Sequence, residues 1–303
     1  MSDSLAALNS RFALASQLDF EEGPGGLAVA RVSNPLGEAM ISLSGGHVMT
    51  WRPQGQEPVL WLSGYAKFAP GKSIRGGVPI CWPWFGPHER EAGFPSHGFA
   101  RTAPWTVEST EALPDGAARL TLTLQHSDAT RSQWPHASSL QSVITVGREL
   151  RIDLVTRNLG NAPFVIGEAL HTYFAVSDIR NSPIRGLEGC EFVDKVDGGR
   201  RKTQEGAIVI GSEVDRVYLD TAADCMIEDA GLKRLIRIRK EGSRSTVVWN
   251  PWVAKAEKMG DFGPEGYLGM VCVESANALD NAVTVAPGGE HVLTVRYSIE
   301  PLA

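Results

Sequence analysis

A carboxylate and a histidine, each near the end of an apolar run, are the groups in this chain best suited to moving protons. In residues 267–277 (YLGMVCVESAN), strand alternation puts Leu268, Met270, Cys272 and Glu274 on one face. A carboxylate closing an apolar stripe loses water, and its pKa rises toward the range in which a general base works near neutral pH. The competing reading is a Glu274 at a solvated strand end, and pattern alone leaves the two level. Along residues 164–173 the same alternation groups Val165, Gly167, Ala169, His171 and Tyr173, with Glu168 on the opposite face. The stretch EALH is therefore no local ligand pair and does not match the helical His-Glu-x-x-His zinc motif. A lone histidine among small residues is more often structural than catalytic. A proton-transfer role for His171 needs a distant partner, and Glu274 is the candidate.

Anion binding has its own candidates. Residues 72–88 read KSIRGGVPICWPWFGPH, with Arg75 followed by two glycines that let backbone approach a ligand, and with Trp82, Trp84 and Phe85 to wall a pocket. Residues 97–101 (HGFAR) supply Arg101. A guanidinium presents a donor fork matched to phosphate oxygens, although a single arginine is usually solvated or ion-paired. No glycine-rich turn is followed by Lys-Ser or Lys-Thr and a helix, so nucleotide chemistry is not expected. Cys81, Cys190, Cys225 and Cys272 lack Cys-x-x-Cys spacing and read as reduced thiols rather than a disulfide frame or a zinc site.

The elements that must carry these groups are mostly strands. Short alternating runs at 39–43, 119–125, 142–146, 150–156, 246–249 and 291–299 are separated by Gly, Pro, Asn and Asp. Helices are expected only at 4–18 and 253–259, and turns at 44–47 and 198–199. Many short strands with turn signals predict an all-β sandwich of antiparallel sheets, with no linker to divide residues 1–303 into two domains. The formal net charge of −6 and the lack of a basic stripe argue against nucleic acid. The one basic cluster, 233–240 (KRLIRIRK), reads as a strand with a solvated cationic face. The first residues have no basic-then-apolar leader, and no apolar run is long enough to span a bilayer, so a cytoplasmic protein that binds no membrane is expected. Trp51, Trp61, Trp105 and Trp134 read as core or rim packing, and a monomer is the default for a sandwich this large.

Taken in order, SIRGGVPICWPWFG (73–86), HGFAR (97–101), LHTYF (170–174), EVDRVY (213–218) and YLGMVCVESAN (267–277) resemble the aldose 1-epimerase, or galactose mutarotase-like, superfamily, and more narrowly its hexose-6-phosphate branch. The resemblance implies a galactose mutarotase-like supersandwich and a cofactor-free, metal-free enzyme that exchanges the α and β anomers of a hexose 6-phosphate such as glucose 6-phosphate. It also implies roles. His171 protonates the ring oxygen as the cation, Glu274 takes the proton of the anomeric hydroxyl, and His97 holds the sugar near its ring oxygen. Asp215 accepts from a sugar hydroxyl, and Arg75 and Arg101 hold the phosphate. Ser96 is a departure, standing where some phosphosugar relatives carry Gln; it donates to a phosphate or hydroxyl over a shorter reach. The alternatives are an epimerase of unphosphorylated sugars and a non-catalytic carbohydrate-binding sandwich, the latter having no need of the Glu274–His171 pair.

Overall fold

A computed structural model describes residues 3–302. Strands alternating inward apolar with outward polar side chains form two eight-stranded sheets, a four-stranded sheet and a small two-stranded pair. Every pairing within these sheets is antiparallel. The first large sheet runs Arg200–Thr203, Glu191–Asp194, Val214–Tyr218, Ser245–Asn250, Met270–Asn277, Glu168–Leu170, Ile80–Cys81, with Tyr173–Ala175 also paired to Met270–Asn277. The second runs Ile184–Arg185, Cys225–Asp229, Arg234–Glu241, Glu290–Pro301, Leu150–Asn158, Ser138–Val146, Ala118–Leu124, Trp105–Ala112. Their facing sides share one hydrophobic cluster, in which Leu122, Ile144, Leu154, Val295 and Tyr297 from the second meet Ile80, Val248, Val271 and Val273 from the first. Each such aliphatic side chain, fully buried, contributes about 1.5–3 kcal/mol.

The expected all-β sandwich is the fold observed, and all six alternating runs lie within strands or end one residue beyond them. Three local readings are corrected. The first helix is Leu5–Phe12, capped by Ser4, which accepts from the Ala7 amide at 3.2 Å. It stops well short of 18 because Leu14 pairs back onto Leu18, and because Asn9 exchanges two hydrogen bonds with the Phe20 backbone. The second helix is the single turn Trp252–Ala256, with turn bonding continuing to Met259.

The basic strand Arg234–Glu241 puts only Arg237 and Arg239 outward. Arg234 and Lys240 share the inward face with Ile236 and Ile238. Arg234 donates to the Glu57 and Ala175 carbonyls and pairs with Asp229, and Lys240 Nζ donates to the Ser245 carbonyl and Thr246 hydroxyl. Alternation leaves them no other side, and those long-range partners replace the lost water. Trp51 and Trp105 are core residues, and Trp61 and Trp134 pack at its margin. Among the described residues no helix is long and apolar enough to cross a membrane.

Candidate active site

Cross-strand register assembles the site on the outer face of the first sheet. Asp215 lies opposite Trp249, Trp249 opposite Cys272, and Cys272 opposite Tyr173, so these four form one row across four strands. In the next row Glu274 lies opposite Val247. Along Met270–Asn277, Val271 and Val273 point into the sandwich and Met270, Cys272 and Glu274 point to the site. The strand begins at Met270 because residues Gly266–Gly269 form a 3-10 turn, which takes Leu268 off this face.

Residues 164–173 are not one strand either. Phe164–Ile166 pairs with Val283–Val285, and Glu168–Leu170 and Tyr173–Ala175 pair separately with Met270–Asn277. Between those last two segments His171 leaves the ladder, its amide donating to Pro79 O at 2.9 Å, and its ring turns toward Glu274. The Nε2–Oε1 distance is 3.3 Å, with the His171 side chain 12 % exposed and that of Glu274 2 %. His171 Nδ1 and Glu274 Oε2 are buried without a partner among the described residues. Glu168 does face away from His171; it is fully buried and accepts from His291 Nε2 at 2.8 Å and Asn277 Nδ2 at 2.9 Å.

Two loops close over the pair. His97 has φ 66°, its amide donates to Gly86 O at 2.7 Å, and its Nδ1 accepts from the Gly86 amide at 3.3 Å. In the neutral ring that bond leaves the proton on Nε2, free to donate. Its ring lies 5.9 Å from that of His171 and 4.8 Å from Phe85. The turn requires Gly98, with φ 70° and an ideal Cβ only 1.9 Å from Trp82 O.

Beneath His171, Tyr173 stacks at 5.0 Å and 15°, and its hydroxyl accepts from Arg75 Nη1 at 2.9 Å. Arg75 Nε also meets Asp261 at 3.3 Å. Arg101 Nη2 donates to the Ser96 carbonyl at 2.8 Å, so Ser96, itself exposed, supports Arg101 through its backbone. The sequence-predicted His171, Glu274, His97, Arg75, Arg101 and Asp215 thus converge.

Burial and charge set the protonation of this cluster. Burial pushes Glu274 well above the ordinary carboxylate range, with the nearby Asp215 adding to it. Burial pushes His171 well below its usual value, helped by His97, Arg101 and Arg75. His97 is lowered to about 3 by burial and then by Arg101, Lys195 and Arg75. Burial also raises Asp215, against the pull of Lys195 and Lys255. The rise of Glu274 is as expected. The cationic His171 is not the resting state, because burial and the neighbouring Arg101 and Arg75 disfavour a further positive charge.

Other expectations change. Trp82 does not wall the site; it is fully buried and donates to Thr156 Oγ1 at 3.1 Å in the core. Trp84 borders a neighbouring cleft of about 500 Å³, while Phe85 does face His97. Gly76 and Gly77 admit backbone rather than ligand: Cβ atoms there would lie 2.5 Å from Trp61 O and 2.3 Å from Val48 O. Sequence reading missed Lys195, whose Nζ sits 5.2 Å over the Phe85 ring and makes no ion pair among the described residues. It also missed Asp261 and Trp249. Each stands alone in sequence, and only register and loop closure bring it to the site.

Comparison with known proteins gives a consistent result. Residues 29–298 match the family model described as aldose 1-epimerase. A protein of Escherichia coli (strain K12), provisionally named glucose-6-phosphate 1-epimerase, is 41 % identical over 248 residues, covering 82 % of each chain. A protein of Cenchrus ciliaris with the same provisional name is 38 % identical over 261 residues, covering 83 % of this chain and 78 % of that one. The crystal structure of a provisionally assigned mutarotase from Salmonella typhimurium superimposes with a TM-score of 0.89 at 36 % identity, covering 96 % of both chains.

Proposed function

The chain belongs to the aldose 1-epimerase family, and on that premise we propose that it interconverts the α and β anomers of a hexose 6-phosphate, with glucose 6-phosphate as substrate. The observation that carries this reading is the buried His171–Glu274 contact at 3.3 Å, with Arg75 and Arg101 nearby. An acid and a base at one hemiacetal suffice for ring opening, rotation of the aldehyde and reclosure on its other face. The reaction so written uses neither a nicotinamide nor a metal.

Burial disfavours charge on both members of the pair, raising Glu274 and lowering His171, so the proton they exchange rests toward Glu274. A sugar phosphate changes that balance. Its dianion offsets Arg75 and Arg101, which oppose an imidazolium, and the reaction proceeds from the ion-pair form, reached when the proton passes to His171 across the 3.3 Å contact. Glu274, now a carboxylate, takes the anomeric hydroxyl proton as His171 protonates the ring oxygen. His97 Nε2 donates to the ring side of the sugar, and Asp215 accepts from a hydroxyl. Arg75 and Arg101 hold the substrate's phosphate, which favours phosphorylated over free sugars. The protein works as a monomeric single-domain enzyme in the cytosol, a reading supported by a site built from one chain and by four free cysteines.

The test is anomer exchange by NMR on equilibrated glucose 6-phosphate, with free glucose and galactose in parallel and the spontaneous rate subtracted. Excess exchange confined to the phosphosugar is expected. Equal exchange on free sugars refutes the phosphate role, and no exchange on any refutes the epimerase.

A further inference from the structure

The floor of the site holds a third group that the proton transfers leave unused. Cys272 lies two residues before Glu274 on the same face, between Tyr173 and Trp249 in the cross-strand row. One ligand atom each from His171, Cys272 and Glu274 lie within 4.8 Å of one another. Two further atoms of this group, His171 Nδ1 and Glu274 Oε2, are buried and unpartnered.

We propose that His171, Cys272 and Glu274 form a binding site for a thiophilic divalent ion, Zn²⁺ or Cd²⁺, and that the ion inhibits the enzyme in competition with the sugar. Three protein donors of N, S and O type match the donor count of a zinc site that keeps one exchangeable ligand. Tetrahedral zinc with bonds of about 2.0–2.3 Å separates its ligand atoms by roughly 3.5 Å, so the His–Glu pair is already at ligating distance and the thiol needs to move by about 1 Å. His171 is the most exposed of the three and marks the side from which an ion enters.

The surrounding charge makes the site selective. Arg75, Arg101 and Lys195 repel any cation, so Coulomb attraction to Glu274 alone does not hold one. Binding rests on the metal–sulfur bond, which excludes the hard ions Mg²⁺ and Ca²⁺. The step is a ligand exchange: the Cys272 S–H and Glu274 O–H bonds break, metal–sulfur and metal–oxygen bonds form, and both protons and the displaced metal-bound waters leave to solvent. No oxidation state changes. Neutral His171 lends its Nε2 lone pair, so a bound ion occupies both groups that the proposed reaction needs.

The inhibition rests on the epimerase reading, but the site does not, and the experiment separates them. Co²⁺ is titrated into the whole protein and followed by its thiolate-to-metal charge-transfer absorption. Anomer exchange is then measured against Zn²⁺ and Cd²⁺, with Mg²⁺ and Ca²⁺ as controls. Cys272→Ser is expected to abolish the thiolate band, leave metal-free exchange near wild type, and raise the half-inhibitory Zn²⁺ concentration at least about tenfold, since even outer-shell changes weaken a metal site roughly 10- to 100-fold. Cys272→Val is the second variant should serine in this apolar row impair folding. A band absent from wild type, a band surviving in both variants, or Zn²⁺ inhibition unchanged in both overturns the site. A band without any exchange in wild type sinks the epimerase and leaves the metal site standing.

Discussion

Replacing Glu274 by Gln isolates the base from everything else the site does. The side chain keeps its volume, and the resting Glu274 is already driven toward its neutral form by burial, so the substitution exchanges one neutral polar group for another. Among the described residues its only partner is His171, and its second oxygen has none. The stability change should therefore stay within about 1 kcal/mol. The rate should not. A positioned acid or base contributes on the order of a hundred- to ten-thousandfold, which is about 2.7–5.4 kcal/mol on the barrier. The assay is saturation transfer between the α and β anomeric protons of glucose 6-phosphate, alongside a chemical denaturation curve for the same preparation. A variant that unfolds like wild type yet keeps exchange within about threefold of it would refute the assignment, since a base worth less than about 1 kcal/mol is no base.

Other consequences follow from the same geometry. Arg75→Ala removes a charge-assisted contact worth about 1.5–3 kcal/mol and should raise KM for the phosphosugar roughly ten- to hundredfold, with a smaller effect on free sugar in the same assay. An equal loss on both sugars would reassign Arg75 to supporting Tyr173. Burial alone would lower the pKa of His291, but the hydrogen bond and charge of Glu168 overrule it and leave it raised. Its contribution to stability is thus complete below 6.5 and lost as pH rises through the folded-state pKa. Denaturation curves from about pH 6 to about pH 9 should show that fall in wild type and a flatter profile in Glu168→Gln. Gly98→Ala drives a Cβ into Trp82 O at a φ that alanine resists. It should cost about 2 kcal/mol or more and displace His97, read as a lowered Tm with lost exchange.

Strand content was legible because alternation survives wherever one face meets a core, as in Leu150–Asn158 and Glu290–Pro301. For Glu274 the same alternation left a buried and a solvated reading level, and the resemblance carried by residues 170–174 and 267–277 implied the roles of His171 and Glu274. What failed had a common physical origin. Residues 164–173 look continuous, but Phe164–Ile166 pairs with Val283–Val285 while the other two segments pair separately with Met270–Asn277, a fact of register that lies in residues 270–285. Arg234 and Lys240 look solvated until Asp229, the Ala175 carbonyl and Ser245 are folded against them. Trp82 sits in an aromatic stretch whose neighbours alternate between core and cleft, and composition does not distinguish the two. Lys195 and Asp261 carry no local signal at all.

The fully buried Glu168 ties His291 and Asn277 together at the far end of the two strands that carry His171 and Glu274. His171 and Glu274 are about a hundred residues apart in sequence, and Glu168–Leu170 and Tyr173–Ala175 lack their common partner until Met270–Asn277 has joined the sheet. Contacts of such long sequence separation form late, after the costly closure of large loops. A chain emerging from the ribosome is therefore chemically silent at least until residues 270–277 are free to pair. During refolding in vitro, turnover should return after β-sheet signal and core fluorescence, as the closing event of the folding reaction.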